Sequence, residues 1–206
     1  MKKLLFAVSA LAALSLLAPS TGLAQFNNHL GLYADEAATS VNLTEVAAFS
    51  TVPVYVVVTN PYNTNLDQPV SGIKAVEFQV VPPANVTVLG ITFTNTAVNV
   101  GTSINVIAGF GTPVDVSGGM AVVATYSILY MDAAGTAPAP FHLAPAEPAS
   151  ISDMLAIQDA ADELLYGLYP SSSTYDNPVF GINTIGDDVV VATDEVTFDS
   201  VKALYR

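Results

Sequence analysis

Cysteine is absent from this 206-residue chain, and cations are scarce: five Lys and Arg stand against eighteen Asp and Glu. Without cysteine there is no disulfide, no thiolate nucleophile and no site for a lipidated N-terminus. Stability must therefore come from a packed core. Beyond residue 24 the cations are Lys74, Lys202 and Arg206. So few cannot make the phosphate contacts that drive nucleic-acid binding, nor hold the chain on an anionic bilayer surface. A long hydrophobic run is lacking as well. The stretch Leu4–Leu17 is apolar but interrupted by Ser9 and Ser15, is followed by Pro19 and Gly22, and is too short to span a bilayer.

What that stretch does fit is an export signal. Lys2 and Lys3 form a charged start, Leu4–Leu17 the apolar segment, and Gly22-Leu23-Ala24 a small-x-small cleavage site. Cleavage is expected after Ala24, leaving residues 25–206 as one domain in the periplasm or outside the cell. No membrane span remains after cleavage. Three cations then face eighteen acids, a formal charge of −15, which favours solubility and says nothing about fold.

Hydrophobic residues make up 51% of the chain and charged residues 11%, which suits a folded core rather than a disordered segment. Short apolar or alternating runs bounded by turn residues predict strands over 29–33, 52–59, 72–81, 86–93, 104–110, 120–130, 179–182 and 189–192. In 72–81, alternation assigns Ile73, Ala75, Glu77, Gln79 and Val81 to one face, and Val76, Phe78 and Val80 to the other. Strands at this spacing without intervening helices predict an all-β, antiparallel two-sheet β-sandwich. An irregular or partly helical insertion is expected around 138–178, which contains Pro138, Pro140, Pro145 and Pro148. Within it, Ile151, Met154, Leu155, Ala161, Leu164, Leu165 and Leu168 fall near helical spacing, and Ser150 with Asp153 suits a capping box. Met154–Ile157 reads equally as a strand followed by a loop through Asp159, Asp162 and Glu163, so both readings stand. A short helix is expected over 199–206.

The order Val52–Val58, Val70–Val80, Pro83–Leu89 and then Gly118–Ile128 resembles the strands of cohesin-like, and more broadly immunoglobulin-like, domains of exported bacterial proteins. The resemblance covers about residues 50–145. It implies a β-sandwich, and for cohesins a function in docking a short partner module at a cell surface. The segment 150–183 departs from the family pattern.

No residue set forms a catalytic motif. His29 and His142 lack metal-binding spacing. Ser103 and Ser117 sit beside glycines in turns without the frame of a nucleophile elbow. The acids fall mostly in turns, at Asp35-Glu36, Asp132, Asp187-Asp188 and Asp194-Glu195, where solvated surface is the ordinary reading. Glycoside hydrolysis would need two of them about 5–10 Å apart. Asp187-Asp188, or Asp132 with an acid or amide from another loop, are candidates for weak Ca²⁺ binding, although no EF-hand pattern occurs. Tyr166, Tyr169 and Tyr175 are either an exposed strip suited to sugar rings or partners, or simply buried anchors. The sequons Asn42-Leu43-Thr44 and Asn85-Val86-Thr87 imply nothing in a bacterial exporter. The expectation is a non-catalytic, cofactor-free binding or assembly module, with a protein partner or self-association ahead of carbohydrate binding and of a purely structural envelope role.

Overall fold

Val-rich alternation builds the molecule. The computed structural model describes residues 28–184, which fall within one compact unit, Phe26–Thr193. Fourteen strands are described: β1 His29–Tyr33, β2 Asn42–Leu43, β3 Thr51–Thr59, β4 Tyr62–Asn63, β5 Gln68–Pro69, β6 Gly72–Val81 and β7 Val86–Phe93. They continue with β8 Ala97–Asn99, β9 Asn105–Asp115, β10 Met120–Tyr130, β11 Ala139–Ala144, β12 Leu155–Asp159, β13 Leu165–Pro170 and β14 Phe180–Ile182. No helix occurs among the described residues. The predicted strand over 189–192, the predicted helix over 199–206, the leader 1–24 and Asp187-Asp188 lie outside them.

The fold is an all-β sandwich. One sheet runs β13-β1-β3-β10-β7. The other runs β8-β9-β6, with β12 and β11 sharing the far edge of β6, and β14 and β2 beyond β11. β13 belongs to both. Its residues Leu165–Leu168 pair with β12, while Tyr169 and Pro170 pair with β1. The two sheets are thus one sheet folded over on itself.

Period-two alternation explains the core. On β10, Tyr126, Ile128 and Tyr130 point inward, while Thr125, Ser127 and Leu129 are less buried. They join Phe78 and Val80 of β6, Leu30 and Leu32 of β1, and Leu155 and Ile157 of β12 in one buried cluster. Phe93 of β7 meets Phe110 of β9 edge to face, 6.0 Å between centroids, and so ties the two layers together. Phe141 of β11 and Phe180 of β14, a directly opposed pair within one layer, also meet edge to face at 5.6 Å.

Four expectations change. The sheets are not wholly antiparallel: β1 with β13 and β2 with β14 are parallel pairs, joining segments far apart in sequence with no hairpin to impose direction. Ile73 faces the core rather than joining Ala75 and Glu77, because a bulge between Ile73 and Ala75 shifts the register. The region 138–178 holds β11, β12 and β13 rather than an irregular or helical insertion. Of its prolines, Pro138, Pro145 and Pro148 lie outside the strands, and Pro140 stands within β11 opposite Gly181. The strand reading of 154–157 holds and the helix does not form. Asp153 adopts a left-handed φ of 60°, and Ser150, instead of capping a helix, binds Glu77.

Candidate functional site

Charge is distributed unevenly along the chain, and this marks the site. Thirteen of the eighteen acids lie among the described residues, with Lys74 the one Lys or Arg there. Yet residues 46–66, 78–114 and 116–131 contain no Asp, Glu, Lys, Arg or His. They supply β3, β7, β8, β10 and β9 up to Val114, so one side of the sandwich, bounded by β7 and β8, is uncharged.

On the outer face of the second sheet, the pairings Gln158↔Ala75↔Gly109↔Val98 form one cross-strand row. A second row runs Ala156↔Glu77↔Ile107, and the Val100 amide donates to the Ile107 carbonyl at 3.0 Å. Val98 and Val100 are 70% and 75% exposed. Above Gly109 the space is open, so Ala75 and Gly109 form a low floor beside two raised valines. The β8–β9 loop that presents Val100 is held by Asn99, whose Oδ1 accepts from the Gly101 and Ile107 amides at 3.1 and 3.0 Å. Gly101 is required there, because a Cβ would lie 2.0 Å from the Asn105 carbonyl oxygen.

One end of this face is strapped. The Asn105 side chain makes both backbone hydrogen bonds to Glu147, accepting at 2.9 Å and donating at 2.7 Å. Glu77, 8% exposed, accepts from the Ser150 amide at 3.0 Å and from its hydroxyl at 2.6 Å. These contacts tie residues 147–150 to the sheet by Glu77 and Asn105, and leave the row through Gly109 and Val98 open.

At the far end of β12 a polar knot fixes the β12–β13 turn. Asn63 Nδ2 donates to Asp159 at 2.5 Å and to Asp162 at 3.0 Å, and its Oδ1 accepts from the Tyr166 hydroxyl at 2.7 Å. The single Tyr166 hydroxyl proton is shared with Asp162, whose carboxylate oxygen lies 2.5 Å away. Desolvation raises the Asp162 pKa, but hydrogen bonds from Tyr166, the Leu164 amide, Asn63 and Asn65 outweigh it and hold the carboxyl at about 2. Desolvation first, and then Asp162, push Tyr166 up to about 12. Lys74 pairs with Glu163 beside this knot.

The residues singled out by sequence are dispersed. His29 lies on β1 and His142 on β11, in different sheets. Ser103 is in the β8–β9 loop, and Ser117 closes the tight turn to Met120. Asp132 accepts from the Ala137 and Thr136 amides at 2.9 and 2.7 Å, bonds that lower its pKa, so its carboxylate caps a turn. Asp35 does likewise for Thr39 and Ser40. Among the described residues no group of three or more His, Cys, Asp or Glu is placed to hold a metal ion. The three tyrosines do not form a strip: Tyr166 is buried in the knot, the Tyr175 hydroxyl accepts from the Leu155 amide at 3.3 Å, and Tyr169 is 51% exposed. Asn42 and Asn85 both donate to backbone carbonyls. Single-residue motifs pointed away from the uncharged face. The signal for it was the chargeless stretch 78–114, legible in the sequence as a gap rather than a motif.

Two solved structures similar to this chain are cohesin modules. One belongs to a family 33 glycoside hydrolase of Clostridium perfringens, with a TM-score of 0.42 and 8% identity, covering 69% of this chain and 90% of that one. The other is the third ScaB cohesin of R. flavefaciens in complex with a group 1 dockerin, with a TM-score of 0.44 and 12% identity, covering 77% and 98%. No protein-family model and no curated protein matches the sequence.

Proposed function

We propose that this chain is an exported, non-catalytic binding module that engages another protein through the outer face of β8, β9, β6 and β12. The observation that carries this reading is an open, uncharged floor at Ala75 and Gly109 flanked by the exposed Val98 and Val100, in a strongly acidic molecule whose acids all lie outside residues 78–114. Apolar side chains held exposed on a rigid sheet favour a partner, and the acids outside the patch provide a polar rim. Export would follow from the leader at 1–24, and the mature protein would begin at Gln25. A carbohydrate-binding reading keeps Tyr169 alone as an open aromatic and is the weaker alternative.

The test is affinity capture from the exported proteins of the producing bacterium, using residues 25–206 and the variant Gly109→Arg. A protein retained by the wild type and lost with the folded variant supports the reading. An identical bound set with both overturns it.

A further inference from the structure

We infer that two copies of this protein pair edge to edge along β7, forming a two-fold dimer. Three strands terminate the twelve-stranded sheet: β2, β8 and β7. β2 has two residues and β8 three, and shortness is a recognised way to keep a sheet edge from recruiting another strand. β7 has eight residues, pairs with β10 on one side, and has no described strand on the other. It carries neither proline nor any charged residue, the usual guards of an exposed edge. Its one irregularity is a bulge at Leu89, which is 55% exposed, opposite the Ser127–Ile128 step of β10.

Electrostatics selects the occupant. At a formal −15, two copies repel wherever their acidic surfaces meet. On the β7 side the neighbouring strands β10 and β3 are also chargeless, and a shallow groove of about 250 Å³ on their outer face is lined by Thr51, Pro53, Thr92, Thr125 and Ser127. A basic partner would be drawn to the acids elsewhere. An uncharged strand suits this edge, and a second β7 is one. Antiparallel pairing about a two-fold axis presents the same residues from both copies and satisfies the outward backbone groups of each.

Sedimentation of residues 25–206 over a concentration series, together with amide hydrogen exchange, tests the pairing. The expected result is a reversible dimer, strengthened by added salt as repulsion is screened, with β7 amides protected at high concentration. Thr92→Lys places like charges across the two-fold and should weaken association by more than about tenfold, with Thr87→Lys serving if circular dichroism shows the first variant misfolded. Val98→Lys, on the face assigned to the protein partner, should leave the dimer intact, so the two readings fail separately. A monomer at the highest soluble concentration overturns the inference. So does a dimer protected at β8 and indifferent to Thr92→Lys, or a monomer whose β7 edge is taken up by a strand of another protein.

Discussion

Tyr126 is 1% exposed, and among the described residues its hydroxyl has no hydrogen-bond partner. Burial drives its pKa well above the usual tyrosine value. A buried hydroxyl left unpaired costs about 1–3 kcal/mol, so Tyr126→Phe should stabilise the protein by about 1 kcal/mol, read as a rise in denaturant midpoint at unchanged slope. Asp162 makes the opposite case. Its carboxyl is held at about 2, below the ordinary 3.8, because the folded state favours the charged form. The stability it contributes is complete above about pH 4 and is lost as pH falls towards 2. Removing one of its donors with Asn63→Ala should make the stability profile shallower between those limits, as followed by acid titration of the thermal midpoint. Neither residue was legible in the sequence, since satisfaction or isolation of a polar group depends on strands that meet only after folding.

β1, β6, β7 and β10 match their predicted bounds because apolar alternation ends at clear turn residues such as Pro82-Pro83 and Gly118-Gly119. β11 was missed because Pro140 marks its segment as broken, although proline is tolerated where the strand needs no donor. β12 and β13 were blurred because Leu164 in their turn and Leu165 at the start of β13 are exposed, and their positions imitate a helical stripe. The open patch at Gly109 and Val98 was missed because its information lies in absent charges and cross-strand register rather than in a motif. Asn105 holds the strap at Glu147, and Glu77 holds it at Ser150. Glu77→Ala should loosen its Ser150 end, seen as faster amide exchange over 150–154 than elsewhere, with a stability loss of about 1–3 kcal/mol.

At the scale of the molecule, acidity and the absence of cysteine set two simple expectations. Thermal midpoints of residues 25–206 should be indifferent to reductant. They should rise when salt is added to a low-salt buffer, because screening relieves self-repulsion. N-terminal sequencing of the protein recovered from cell envelope or medium should begin at Gln25, and a mature chain retaining Met1 would contradict the leader reading. The strand shared by both layers has a temporal consequence. β1 emerges early from any ribosome or export pore, yet it waits for Tyr169 and Pro170 before its second side is covered. A chain emerging from its N-terminus cannot complete that closure until most of its length is out, so β1 is the last part of its layer to be sealed.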